Sequence, residues 1–288
     1  MKGRNTMIEI QGKYNSATCF CNEIEETAQQ QIQNLCDQRI FASSKIRIMP
    51  DVHAGAGCTI GTTMTVTDKA APSLVGVDIG CGMVTVKLTE KEIDFAALDR
   101  VIRRKIPSGE AVRNSPHSLS VQIDLSQLRC FSAVNTERAL LSIGTLGGGN
   151  HFIEVDRDED GFLYLVIHSG SRYLGVQVAT YYKKLGWQTI NQVSNEAKYA
   201  LIAQYKEEGR EKEIEQGLQN LADSFSAPAD IPEVFAYVEG KNLEDYLHDM
   251  KLVQHYAMLN RQAMAQEIIG AMGLHKVGCF TTIHNYID

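Results

Sequence analysis

Histidine, cysteine and aspartate gather beside glycine in three segments that lie far apart in the chain, and a fourth segment adds one more histidine. The first three are Val75-Gly76-Val77-Asp78-Ile79-Gly80-Cys81-Gly82, Gly147-Gly148-Gly149-Asn150-His151-Phe152-Ile153-Glu154 and Val166-Ile167-His168-Ser169-Gly170-Ser171-Arg172. The fourth is Thr282-Ile283-His284-Asn285-Tyr286. Asp78 and Cys81 are three residues apart, with glycine on both sides of the cysteine. A turn of that composition lets a carboxylate and a thiolate converge on one point. His151 opens a predicted strand and His168 closes the next, and in a hairpin such ends lie side by side. Imidazole, carboxylate and thiolate together form the ligand set of a divalent transition metal. A thiolate can bridge two ions. One carboxylate, one bridging thiolate and three imidazoles can then hold two ions with positions left open, which points to catalysis rather than structure. The ligands bring roughly −2 and two divalent ions roughly +4, so the loaded site is net positive and suits a phosphate-bearing substrate.

Each of these residues also has a plainer role. A buried cysteine is usually a small core residue, and a single histidine is more often a hydrogen-bonded structural residue than a ligand. That plainer role is assigned to His117, His248, His255 and His275. Gly147–Gly149 alone is a weak phosphate-loop signal without a helix after it. The coincidence of four residue types in several glycine-rich segments is what favours a dinuclear metal site.

The elements that must position these side chains follow from periodicity. Residues 7–14 read as a short strand, and 22–35 as a surface helix with Ile24, Ala28, Ile32 and Leu35 at helical spacing. Short β-branched runs at 45–49, 61–67 and 83–88 are separated by glycine clusters. A helix is predicted over 91–105, with Ile93, Leu98, Val101 and Ile102 inward, and another over 134–143. Residues 152–155 and 162–168 read as strands joined by the acidic turn Asp158–Gly161, a hairpin. Residues 175–225 and 242–272 are predicted mainly helical, joined by a Pro-containing connection at Ala227–Pro232. The last residues, 278–287, return to a β-like texture. The expectation is one α+β domain over 1–288, with a mainly helical portion at 175–272.

Composition narrows the function classes. Hydrophobic residues at 44% and charged residues at 22% exclude a disordered tail and a coiled-coil rod. Lys+Arg 28 against Asp+Glu 35 gives −7, so this is no general polyanion binder, and any nucleic acid must be met by a local basic patch or by metal ions. No apolar run approaches the ~18 residues of a membrane span. No apolar signal region follows Met1-Lys2-Gly3-Arg4-Asn5, so the expected location is the cytoplasm. Seven cysteines without a paired spacing fit that compartment.

Taken in order, the motifs resemble the RtcB family of RNA-splicing ligases. Met49-Pro50-Asp51-Val52-His53 before a glycine-rich stretch, VGVDIGCGM at 75–83, GTLGGGNHFIEV at 144–155, HSGSR at 168–172 and HNY at 284–286 carry the resemblance, as does the 17-residue interval from His151 to His168. It implies an RtcB-like mixed α+β domain of glycine-linked strands around a metal site, with an added helical layer. It further implies a GTP- and manganese-dependent enzyme that joins RNA 2',3'-cyclic phosphate or 3'-phosphate ends to 5'-hydroxyl ends through a GMP-histidine intermediate, in RNA repair or tRNA splicing. By the resemblance, two Mn²⁺ ions would be held by Asp78, Cys81, His151, His168 and His284, with Cys81 bridging. Asn150, Phe152, Glu154 and Asn285 would contact the guanylate, Glu154 accepting N–H groups of the base edge. Arg172 would bind a phosphate, Asp51 and His53 would line the RNA-end site, and Arg100, Arg103, Arg104 and Lys105 would face RNA. The cluster's plainer role is a solvated helix end, where cations are favoured. The ligand types alone do not select manganese over zinc.

The resemblance has two gaps. The family's guanylylated histidine belongs to a His-Gly-Ala-Gly-Arg motif downstream of HNY, and this sequence holds no such motif and ends at Asp288. The reading therefore expects a chain lacking the family's C-terminal part, with no nucleophile assigned to His248, His255 or His275. The segment 54–61 (AGAGCTIG) also lacks the aromatic residue expected there. Two alternatives to a ligase stay open: a metal-dependent phosphoesterase, and a non-catalytic fragment that binds metal and nucleotide.

Overall fold

The computed structural model describes residues 7–55, 57–192, 195–224 and 231–288. In chain order the elements are β1 (Ile8–Gln11), β2 (Ser16–Cys19), α1 (Glu26–Cys36), β3 (Ile46–His53), β4 (Ile60–Met64), β5 (Lys69–Ala70), α2 (Pro72–Val75), β6 (Gly82–Leu88), α3 (Phe95–Lys105), α4 (Thr136–Ser142), β7 (Phe152–Arg157), β8 (Leu163–Ser169), α5 (Arg172–Ile190), α6 (Asn195–Glu207), α7 (Ile214–Ser224), β9 (Val238–Glu239), α8 (Gly240–Met272) and β10 (Lys276–Ile283). Helix and sheet are mixed, as an α+β chain requires. Positions Met1–Asn5, Ala56, and the Pro-containing connection from Ala227 to Asp230 lie outside the described residues. The chain divides into two compact units, Met1–Leu74 with Tyr182–Asn242, and Val75–Tyr181 with Leu243–Asp288.

The first unit holds a sheet of order β1-β2-β3-β4, in which only the β2–β3 pair is parallel. Helix α1 buries Ala28, Ile32 and Leu35, the stripe its sequence spacing predicts. Ile24 sits just before the helix and still packs against the same core, beside Ile10, Ile46, Ile48 and Phe41. Strand β2 was not foreseen, because Ser16–Cys19 is too short to show alternation. The two-residue pair β5–β9 escapes for the same reason.

The second unit is built on an antiparallel sheet of order β10-β6-β8-β7. Val84, Val86 and Leu88 of β6 and Leu163, Leu165 and Ile167 of β8 form one core with Leu98 of α3 and Met264 and Ile268 of α8. Each such side chain contributes about 1.5–3 kcal/mol when fully buried. Helix α3 starts four residues later than its periodicity suggests, because the Asp94 side chain caps it by accepting from the Ala97 N–H at 3.0 Å. The β7–β8 hairpin turns at Asp158, whose carbonyl accepts from the Gly161 N–H and whose carboxylate accepts from the Phe162 N–H at 2.7 Å.

One buried carboxylate anchors a loop of this unit to α8. Asp249 is fully buried and accepts from the backbone N–H groups of Arg129 and Cys130, at 2.8 and 3.0 Å. Truncation would strand two donors at about 1–3 kcal/mol each. Asp249→Ala is therefore expected to lower unfolding free energy by about 2–6 kcal/mol, and Asp249→Asn, which keeps an acceptor, by less. Denaturant unfolding of both variants measures it, and an Ala variant within error of wild type would contradict the anchoring role.

Candidate metal centre

The strand register carries the candidate ligands to one end of the second unit's sheet. Phe152 pairs with His168, His168 with Met83, and Met83 with Thr282, so these four form one rung across β7, β8, β6 and β10. Cys81 immediately precedes β6, His151 immediately precedes β7, His168 lies near the end of β8, and His284 immediately follows β10. Antiparallel pairing puts all four positions at the same end of the sheet. Two backbone bonds tie the last segment to the first: the His284 N–H donates to the Cys81 carbonyl at 3.0 Å, and the Gly80 N–H to the Asn285 carbonyl at 2.8 Å. Gly80 has φ +71° and packs so closely on α8 at Gln254 that a Cβ would lie 2.8 Å from its Cα. A Cβ at Gly170 would run into the Asp78 carboxylate.

The five side chains form two overlapping groups. Asp78, Cys81 and His151 have ligand atoms within 4.8 Å of one another, and so do Cys81, His168 and His284. Cys81 belongs to both. Its Sγ lies 3.5 Å from His151 Nε2 and 3.3 Å from His168 Nε2, while His151 Nε2 lies 2.9 Å from Asp78 Oδ2. The His151 and His168 rings sit edge to face at 5.5 Å, and the His168 and His284 rings at 5.3 Å.

Backbone carbonyls decide the tautomers. His151 Nδ1 is 2.9 Å from the Leu146 carbonyl and His168 Nδ1 is 3.1 Å from the Asn150 carbonyl. A carbonyl only accepts, so both Nδ1 atoms carry the proton and both Nε2 lone pairs face the cluster. Arg172 Nη1 also lies 3.3 Å from His151 Nδ1, but the shorter carbonyl contact claims that nitrogen's proton. A bare lone pair 2.9 Å from a carboxylate is repulsive unless a proton or a cation lies between them. The donor set thus fits a divalent metal ion.

The local ionisation agrees with that fit. Burial disfavours the Asp78 carboxylate, but a proton on His151 Nε2, in the place a metal cation would otherwise take, together with the Cys81 thiol and the Ser171 N–H, outweighs it and holds the carboxyl at about 2. Burial pushes the Cys81 thiol up, and the neighbouring Asp78 carboxylate pushes it further. A bound cation inverts that preference by favouring the thiolate. Burial lowers His168, which keeps its imidazole neutral and its lone pair available.

The other predicted site residues fall in several places. Asn150 is exposed and contributes its carbonyl to His168. Phe152 is 36% exposed, with its ring 5.1 Å from that of His168. Glu154 is exposed on the same face of β7, two residues on. Asn285 donates to the Asp78 carbonyl at 3.1 Å. Arg172 has a positive φ of 57°. Its Nε donates to Thr145 Oγ1 and its Nη2 to the Gly109 carbonyl, both at 3.3 Å, long for bonds from a charged donor. Asp51 and His53 lie on β3 in the other unit, where His53 Nδ1 meets the Asp51 carbonyl at 2.8 Å.

Three of the histidines given plainer roles have hydrogen-bonding partners. His117 is buried and accepts from the Leu119 N–H, His248 meets the Gln127 carbonyl, and His275 pairs with Glu90. The basic cluster closes α3, where Arg103 pairs with Asp99 and Lys105 with Glu267. Arg100 and Arg104 line an open cavity of about 640 Å³ whose wall also carries Glu92 and Asp94. These ion pairs and mixed walls match the solvated-helix-end role.

Two residues escaped sequence reasoning, Asn260 and Arg261, both fully buried on α8 behind the ligand loops. Their signal was an Asn-Arg pair inside a helix whose neighbours Ala257, Leu259, Ala263 and Met264 are all buried and apolar. A charged residue on the core face of a helix has to answer to something across the core.

Comparison with known proteins agrees with the motif order. The family model described as tRNA-splicing ligase RtcB matches residues 31–128 and 120–284. RNA-splicing ligase RtcB of Escherichia coli (strain K12) is 29% identical over 275 residues, covering 86% of this chain and 58% of that protein. RNA-splicing ligase RtcB1 of E. coli strain ATCC 25922 matches to the same extent. RNA-splicing ligase RtcB homolog 1 of Entamoeba histolytica is 27% identical over 241 residues, 59% of this chain and 46% of its own length. This chain spans 58% of the length of the two E. coli relatives.

Proposed function

The chain belongs to the RtcB family of RNA-splicing ligases, and from that premise we propose that it carries the dinuclear metal centre of an RNA ligase. The observation that carries the proposal is the meeting of Asp78, Cys81, His151, His168 and His284 in two groups that share one sulfur. Asp78, Cys81 and His151 would hold one ion and Cys81, His168 and His284 the other. Two Mn²⁺ ions would supply neutralisation of phosphate charge and alignment for in-line displacement.

The chain's own residues would do the rest. The Leu146 and Asn150 carbonyls fix the imidazole tautomers so that both Nε2 lone pairs stay available. The Phe152 ring offers an apolar wall beside the site, and Glu154 on the same face can accept two N–H groups from a guanine edge. The exposed Asn150 side chain and Asn285 complete the proposed guanylate contacts. Arg172 Nη1 cannot donate to the already protonated His151 Nδ1, so it is the guanidinium nitrogen offered to a phosphate oxygen. Asp51 and His53 remain the proposed RNA-end residues. On this reading the substrates are GTP and RNA ends bearing a 2',3'-cyclic phosphate or 3'-phosphate and a 5'-hydroxyl, and the histidine that carries GMP in the family is not among this chain's motifs. Among the described residues no helix is long and apolar enough to cross a membrane.

One assay separates this from the two alternatives. The chain is incubated with Mn²⁺ and GTP labelled at the α-phosphate, then denatured. Acid-labile label retained on the protein supports guanylylation. Metal-dependent phosphate release from RNA ends without labelling supports a phosphoesterase. Metal binding with neither activity leaves a binding module.

A further inference from the structure

The ligand loops share a buried cross-brace that none of the site motifs contains. Arg261 Nη1 donates to the Gly80 carbonyl at 2.8 Å and to the Ser169 carbonyl at 2.9 Å, joining the turn that carries Cys81 to the strand end that carries His168. Asn260 uses both ends of its amide. Its Oδ1 accepts from the Gly144 and Thr145 N–H groups at 2.8 and 3.0 Å, and its Nδ2 donates to Ser169 Oγ and the Gly170 carbonyl at 3.2 and 3.1 Å. Ser169 Oγ in turn donates to the Leu146 carbonyl at 2.9 Å, the same carbonyl that sets the His151 tautomer. One turn of α8 therefore grips the loops of Cys81, His168 and His151 together.

Stability alone is a poor account of this arrangement. Arg261 is wholly buried, and its Nε and Nη2 have no hydrogen-bond partner among the described residues. A buried cation without a paired carboxylate is more often neutral or costly to a fold than helpful. Its Nη1 alone does reach two carbonyls on separate loops at once.

We propose that Asn260 and Arg261 are positioning residues of the metal centre, holding three ligand loops in the register that lets two ions share Cys81. The proposal rests on the metal-site reading above. Partners behind first-layer ligands typically govern about 10–100-fold in metal affinity, and that is the loss expected here.

The test is cobalt titration of the full chain, a probe whose thiolate-to-metal absorption band reports the Cys81 bond. Wild type, Cys81→Ala, Arg261→Met, Arg261→Lys, Asn260→Ala and Asn260→Asp are compared, with a metal-free melt of each. The expected result is a thiolate band in wild type that Cys81→Ala abolishes. Arg261→Met and Asn260→Ala should bind cobalt about 10–100-fold more weakly, with a shifted or weakened band. Arg261→Lys and Asn260→Asp should recover part of the affinity, since each keeps some of the bonds. Absence of a band in wild type would overturn the metal-site reading itself. A wild-type band unchanged in folded Arg261 and Asn260 variants would overturn only the positioning role. So would failure of both the drastic and the conservative variants to fold, because the pair would then be a core element.

Discussion

Cys81→Ala is expected to abolish high-affinity metal binding at both positions while leaving the fold intact. The sulfur is the one ligand atom common to the two groups, 3.5 Å from His151 Nε2 and 3.3 Å from His168 Nε2. Without it each group keeps two protein ligands, below the three that catalytic sites with an open position usually retain. The loss should exceed the ~10–100-fold typical of an outer-layer partner. The side chain is small and its backbone bonds, from Cys81 N–H to Asp78 and from His284 N–H to Cys81, survive the change. Equilibrium dialysis against Mn²⁺ with elemental analysis reads the effect. Unchanged metal content in the folded variant would remove Cys81 from the site.

The second large effect is selective. Asp78→Asn should cost the ion held with His151 and spare the ion held with His284, while His284→Ala should do the reverse. Asparagine can still accept from the Ser171 N–H, which meets Asp78 Oδ1 at 2.9 Å, and its amide can donate to the His151 Nε2 lone pair. The local fold is thus kept while an anionic ligand becomes a neutral one. His284 is exposed at the end of β10, and alanine keeps the backbone bond to Cys81. Each variant should retain about half of the wild-type metal content, as two groups sharing one sulfur imply. If either substitution empties both positions, the two groups are a single mononuclear site and the bridging role of Cys81 fails.

Much of this centre was legible in the sequence because its parts are local. Asp78 and Cys81 share one glycine turn, and His151 and His168 mark the two ends of a hairpin whose acidic turn is plain at Asp158–Gly161. Antiparallel pairing then leaves those ends no choice but to meet. The placement of His284 beside Cys81 depends on β10 pairing with β6 across almost 200 residues, which periodicity does not reveal and only the motif order suggested. Asn260 and Arg261 were illegible as site residues because their partners lie 90 to 181 residues away. A helix rich in Ala, Met and Gln reads as packing until the loops it grips are in view. Strands β2, β5 and β9 are too short for a period of two to show. The division into two units also leaves no trace in composition, since both are discontinuous in sequence.

The metal content of the wild-type chain tests the central claim most directly. Dialysed to saturation with Mn²⁺ and washed free of loosely bound ion, the chain should retain two manganese ions, and both should disappear in Cys81→Ala. Retention of none, or of ions that stay when Cys81 is gone, would contradict a dinuclear centre built on this sulfur.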